Sequence, residues 1–256
     1  MSVSPPTTAT PASVEAVIDL TDRRPPSGRP MALLPDHRLI TVTGGDRWIQ
    51  AEAFVYETYL KIGFTGPSAR KQVEELSRWA DDSRFHLVVD GDDRIIGSIR
   101  TILGNFADLP VASFDRSDHL DLDPVCELSS LVVDPSVRST GVVEHLYRAG
   151  WRDAWQQGAT AVVAIIDDWL FEVFRDTYRL PFRSIGEAKP YMGGVPLPVS
   201  LPLRARAYDT QAAENPEFWA WTLEGISAME FLTWELPVPG GHAFWASPGE
   251  PHPIPS

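Results

Sequence analysis

The sequence predicts an α/β fold in which helices sandwich a mixed central sheet, and three segments carry that expectation. Residues 85–103 hold two apolar runs around Asp90-Gly91-Asp92-Asp93, which is a hairpin signal. Residues 161–166 (AVVAII) form a continuous apolar run, the mark of a strand covered on both faces. Between them, Val142/Val143, Leu146/Tyr147, Trp151 and Ala154/Trp155 recur every three to four residues. That spacing predicts an amphipathic helix over 142–157, closed by Gly158. A hairpin followed by strand, helix and strand is no uniform βαβ repeat, so the sheet is expected to mix directions.

Taken in order, residues 1–37 read as a flexible, proline-rich arm without a periodic apolar face. The main domain is expected over 38–208. Trp48, Ala51, Val55 and Tyr59 predict a first helix with Asp46 as its cap. Pro67 is expected to open a second helix carrying Val73, Leu76 and Trp79. Residues 104–124 read as an acidic loop. Cys126 to Val133 (CELSSLVV) reads as a strand stopped by Asp134-Pro135. A short helix is expected over Leu170–Tyr178, then extended chain over 182–203. Asn215-Pro216-Glu217 starts a last helix rich in Phe218, Trp219, Trp221, Leu223, Met229 and Phe231, within a C-terminal segment 209–256 that ends in a proline-rich tail.

The chain has 256 residues, of which 43% are hydrophobic, so it can bury a core and is not a disordered polymer. Its single cysteine, Cys126, excludes an internal disulfide and reads as a small buried hydrophobe. No stretch approaches ~20 uninterrupted apolar residues, so no spanning helix is expected. The proline-rich start is unlike a secretory leader, which points to the cytoplasm. A net charge of −13 repels a phosphate backbone, so nucleic acid is not an expected partner. Arg138 to Arg206 departs from this balance, with nine Lys or Arg against seven Asp or Glu. The histidines show no metal-ligand spacing, and hydrolase elbows and Walker loops are absent.

The segment Glu127–Val143 holds the most chemistry. A strand ends, a short Ser/Thr/Gly loop follows, and a helix begins at once. Main-chain N–H groups at a helix start lack internal partners and favour anions, and Gly141 would let a ligand approach the backbone. Arg138 adds positive charge. The same pattern also serves as a plain turn.

Read as R-S-T-G-V-V, residues 138–143 resemble the Arg/Gln-x-x-Gly-x-Gly/Ala motif that follows strand four in the GNAT superfamily of N-acyltransferases. Val143 stands where that superfamily has Gly or Ala, and its bulk opposes a close diphosphate approach. A narrower resemblance spans residues 47–200. Gly97-Ser98-Ile99-Arg100, Glu127-Leu128-Ser129-Ser130 and Tyr191-Met192-Gly193 through Pro196 occur in the order seen in autoinducer synthases and long-chain N-acyl amino acid synthases. Ser130 replaces the Arg that ends the second motif in those enzymes. The resemblance implies a GNAT-like fold and an acyltransferase that uses a phosphopantetheine thioester as co-substrate, with no permanent cofactor. It implies a donor on acyl carrier protein, whose pantetheine arm lacks the diphosphate.

The chemistry that follows has three needs. Main-chain amides of a bulged or splayed strand near Leu131, Val132 and Val133 would polarise the thioester carbonyl, with Arg138, Ser139, Thr140, Gly141 and Val142 holding the donor. Glu127 would take the proton of the acceptor amine, which belongs to an amino acid, small metabolite or peptide, since burial raises a carboxyl's pKa. Tyr178 would protonate the departing thiolate. Arg100 would clamp an acceptor carboxylate or support Glu127. Trp151, Trp155, Phe171 and Phe174 would line an acyl tunnel or fill a core. Arg148, Arg152, Arg175 and Arg179 would join Arg138 in docking an acidic carrier, or lie on solvated helix faces. Asp167-Asp168 would cap a helix. The C-terminal helix would cover the acceptor cleft or form a homodimer face. Two other readings stay open: a coenzyme A-dependent acetyltransferase of the same fold, and a non-catalytic acyl-binding module.

Overall fold

The computed structural model describes residues 28–117, 122–137 and 140–240. The predicted arm up to residue 27 and the tail from 241, with Phe244 and Trp245, lie outside them. Seven strands form one sheet: β1 (Arg38–Val42), β2 (Ser83–Val89), β3 (Ile95–Gly104), β4 (Val125–Val133), β5 (Ala161–Ile166), β6 (Arg183–Ser184) and β7 (Leu197–Pro202). Their order is β1-β2-β3-β4-β5-β7-β6. Every neighbouring pair is antiparallel except β4–β5, which is parallel and connected through a helix. The sheet is therefore mixed, as expected, and β1 is a strand that the sequence pattern does not mark.

Side chains alternate across each strand, so the sheet buries two faces. Val125, Ala161 and Val163 pack with Trp48, Ala51 and Val55 of α1 (Gly45–Ile62). Cys126, Val162 and Ala164 pack on the other side with Trp151 and Ala154 of α2 (Val142–Gln156). Glycines let α2 lie close to the sheet. A Cβ on Gly97 would sit 2.6 Å from Val142 Cγ1, and one on Gly150 would sit 2.8 Å from Leu128 Cδ2. A buried network ties α2 down further. Asp153 accepts from Arg84 Nη1 (2.8 Å), Thr101 Oγ1 (2.7 Å) and Gln157 Nε2 (2.6 Å), with His86 beside it.

Several local expectations change. Gly44, not Asp46, holds the N-cap position of α1. The helix expected after Pro67 is only a 3-10 turn, Glu74–Trp79. The hairpin turn forms, with Asp93 in the left-handed region at φ +63°. After α3 (Asp168–Glu172) the chain widens into a π turn, Val173–Thr177. Asp167 is the N-cap residue of α3 but makes no side-chain capping bond.

The C-terminal helix divides into α4 (Asp209–Glu214), α5 (Pro216–Leu223) and α6 (Ala228–Thr233). Asn215 caps α5 through Phe218 N, and Ser227 with Glu230 forms a capping box on α6. Phe218, Trp219 and Trp221 are buried against the α2 side of the sheet, where Trp219 stacks on Tyr208 and meets Trp151 edge-on. Those three aromatic side chains are therefore used within this core, while Met229 and Leu232 of α6 stay exposed at 73% and 70%. Within the expected arm, Gly28, Met31 and Leu33 make contacts with the body.

Candidate active site

Strand β4 carries the irregularity on which the site is built. Arg100 of β3 faces Ser129, but Ser98 faces Val132, so Ser130 and Leu131 together oppose Ile99. This is a β-bulge, and Ser130 takes φ +51°, a conformation that a side chain rarely adopts. Beyond the bulge β4 also loses its other neighbour. Its pairing with β5 ends at Leu128–Ala164, while β5 continues with β7 to Ile166. Asp134 N donates to Ile96 O. By antiparallel alternation Val132 faces β3 as well, which turns the amides of Leu131 and Val133 toward the split.

On the α1 face, charged groups are buried beside this split. Arg100 is 2% exposed, and its Nε and Nη2 have no hydrogen-bond partner. It lies over the rings of Trp48 and Phe85 at 5.4 and 5.5 Å. Burial lowers its pKa to about 10, opposed by Glu52, Glu127 and Tyr59. Glu52, Arg100, Ser130, Val55 and Phe85 line a narrow cavity of about 10 Å³, the room of roughly one water. Glu52 accepts from Gln72 Nε2 at 2.7 Å.

Glu127 lies on the same face, diagonally across from Arg100. Its Oε2 accepts from Val111 N at 2.9 Å. Burial pushes its pKa up to about 8, against the smaller downward pulls of that bond and of Arg100. Two tyrosines close the group. Tyr59 is pushed up to about 12 by burial, partly offset by the Ser130 hydroxyl. Tyr191 is pushed to about 12, chiefly by burial and then by Glu127 and Tyr59. The loop that carries Tyr191 meets the end of α1, where Gly193 at φ +80° leaves no room for a Cβ against Gly63 O (2.7 Å). The sequence pattern does not mark Glu52 or Tyr59 as site residues, while Tyr191 stands in one of the resembling motifs without a role assigned to it. Tyr59 and Trp48 were marked only as apolar positions of a helix, and Glu52 carried no signal beyond its spacing of four from Trp48.

The other candidates lie on the α2 face or outside the described residues. Tyr178 stands away from Glu127 and Arg100, and its hydroxyl donates to Glu144 Oε1 at 2.6 Å. Burial, then Glu144, raises its pKa far above the usual range. Val142 is 1% exposed and packs in the core, so only its main chain is available at the helix start. Thr140 Oγ1 donates to Val137 O at 2.6 Å. Arg138 and Ser139 fall outside the described residues.

One expectation changes and two open alternatives narrow. At Gly141 (φ +82°) the close backbone approach is made by the chain itself: a Cβ there would meet Met31 Cβ at 2.8 Å and Met31 O at 2.9 Å. Trp151, Phe171 and Phe174 are packed core side chains, with Trp151 held between Tyr208, Trp219 and Trp234. Arg148 and Arg152 are turned inward to the end of α5. They donate to Trp221 O (2.7 Å) and Thr222 O (3.3 Å). Arg175 pairs with Asp176, and Arg179 with Glu214. None of the four is an uncommitted docking charge.

Among the described residues no helix is long and apolar enough to cross a membrane, and no group of His, Cys, Asp or Glu is arranged to hold a metal ion. A family model described as N-acyl amino acid synthase FeeM matches residues 50–201. Among solved structures, the CoA-dependent acyl-homoserine lactone synthase BjaI, bound to SAM and isopentyl-CoA, is 14% identical with a TM-score of 0.53. That match covers 70% of this chain and 89% of BjaI. TofI, in a ternary complex with an inhibitor and MTA, is 17% identical with a TM-score of 0.51, covering 67% of this chain and 94% of its own. The AHL synthase LasI is 10% identical with a TM-score of 0.51, over 70% of this chain and 93% of its own. At these identities the three structures establish a shared fold. No curated protein sequence matches the chain.

Proposed function

The chain belongs to the FeeM family of N-acyl amino acid synthases, and from that premise we propose which donor and acceptor this acyltransferase joins. The donor is a fatty or polyketide acyl thioester on the phosphopantetheine arm of an acyl carrier protein. The acceptor is an amino acid, attacking directly through its amine. The observation that supports this most is the juxtaposition of the β4 bulge and split with the buried, under-bonded guanidinium of Arg100.

In this reading the thioester carbonyl lies at the split, and the Leu131 and Val133 amides stabilise the oxyanion as it forms. Arg100 Nε and Nη2 bind the acceptor's carboxylate as a fork, with the Ser130 hydroxyl alongside. The small volume beside them means that Tyr59 or the Tyr191 loop moves aside to admit the acceptor. The acceptor ammonium gives one proton to Glu127, whose pKa of about 8 suits that exchange. The freed amine attacks, the C–N bond forms, and the C–S bond breaks. The second nitrogen proton reaches the departing thiolate, for which Tyr178 with Glu144 is the proposed donor on the α2 face. Glu127 then releases its proton to water.

The test is intact-mass analysis of carrier proteins loaded with acyl chains of varied length, incubated with the enzyme and an amine panel. Loss of the acyl mass together with formation of an N-acyl amino acid is the expected result. Hydrolysis alone, or no transfer to any amine, would overturn the reading.

A further inference from the structure

The stretch Gly28–Leu33 crosses the α2 face as a strap held at both ends. At one end Gly28 O accepts from Asn215 Nδ2 at 2.8 Å, and Gly28, at φ +68°, lies so close to Thr177 O that a Cβ would come within 2.9 Å. Arg29 pairs with Glu217 at 3.5 Å. At the other end Leu33 packs on the Val88, Ile99, Val142 and Leu146 cluster. Between these anchors, His145 Nε2 bonds Met31 O at 3.0 Å, and the Met31 backbone lies on Gly141, the N-cap position of α2.

The place the strap occupies matters chemically. The first N–H groups of a helix attract phosphate, and α2 has no side-chain cap to compete for them. It begins near the end of β4 where the β4–β5 split opens. Met31 Cβ and O lie within 3 Å of the place a Cβ on Gly141 would take, so a diphosphate that approaches Gly141 from that side meets Met31. A donor whose pantetheine enters the split from a carrier protein carries no diphosphate that needs this seat.

We infer that Gly28–Leu33 is a donor-selectivity strap, which withholds the start of α2 from coenzyme A thioesters and leaves the split to carrier-protein thioesters. This rests on the carrier-protein reading above and adds the element that enforces it. Binding of a diphosphate at α2 and seating of the strap are mutually exclusive, so apparent affinity for coenzyme A is divided by the fraction of molecules with the strap lifted.

The full-length Leu33→Asp variant tests this, because a carboxylate opposes seating in the apolar cluster while Leu33 itself is only half-buried. Binding of free coenzyme A, measured by calorimetry on wild type and variant, is a readout that needs no turnover. The expected result is affinity at least about ten-fold tighter in the variant, which corresponds to a strap seated about nine-tenths of the time. Acyl-CoA kcat/KM should rise in step, with acyl-carrier kcat/KM changed less than about three-fold. Arg29→Glu added to Leu33→Asp, placing like charges at Glu217, should increase the effect. Equal coenzyme A affinity in wild type and both variants would overturn the strap, even where carrier-dependent transfer is intact. Tighter coenzyme A binding with no transfer from any donor would instead uphold the strap and sink the carrier-protein reading.

Discussion

The two faces of the β4–β5 split are built from different materials. On the α1 face, Arg100, Glu52 and Glu127 are buried charged groups, with the partly buried hydroxyls of Tyr59 and Tyr191 beside them. On the α2 face, the helix start offers main chain and valine, and the chain covers it with its own Met31. The contrast teaches how one split can treat two substrates differently. In the proposed reading a small zwitterion is recognised by buried charge, where each hydrogen bond is strong and each unmet one costly. In the same reading a long thioester needs only backbone donors and shape, so its selection falls to whatever blocks the approach.

The largest expected effect tests the α1 face. Glu127→Gln should lower turnover by about 10²–10⁴-fold with the fold retained, measured by steady-state transfer. Wild-type rate should climb with pH through about 8, and the variant should lose that rise. The same carboxyl has an opposite consequence for stability. Its folded pKa of about 8 exceeds the ordinary value of 4.5. Its stabilisation is therefore complete below the lower value and is lost as pH rises through the higher one. Urea unfolding at about pH 6 and about pH 9 should show a smaller drop for Glu127→Gln than for wild type.

Next in size is a change in the frame shared by both faces. Asp153→Ala removes the acceptor of Arg84, Thr101 and Gln157 and should cost about 3 kcal/mol in urea unfolding. Acceptor KM should not move, because Asp153 lies on the α2 side; a large shift would break the proposed division between faces. Arg100→Lys should raise acceptor KM by about 10- to 100-fold, as a fork of two charged hydrogen bonds is lost, while donor KM holds. An equal rise for both substrates would count against a carboxylate clamp. The smallest effect belongs to Gly97→Ala. Its new methyl would meet Val142 at 2.6 Å and should cost about 1 kcal/mol. Because it pushes on the start of α2, donor KM should respond and acceptor KM should not.

Much of the frame was readable from local pattern. The Asp90–Asp93 turn, the apolar run of β5 and the periodicity of α2 each lie within one element, and each formed. The Pro67 helix failed because its apolar spacing needed only a 3-10 turn to bury Leu76 and Trp79. Arg100 and Glu127 stood out through a resemblance of short motifs. Glu52 and Tyr59, by contrast, sit among ordinary helix positions, and nothing within several residues of them marks a polar interior.

What the sequence determined alone is the set of elements and the strand–glycine–helix junction, because hydrogen bonding and apolar periodicity act over a few residues. What the tertiary structure decided is who meets whom. The bulge at Ser130 shifts the register of β4 and opens the split. Chain returning from Gly28 and from Tyr191 then closes its two sides. Those contacts join residues up to 187 positions apart, as in Asn215 to Gly28. Their geometry depends on how the whole sheet twists and packs, which no short stretch of sequence encodes.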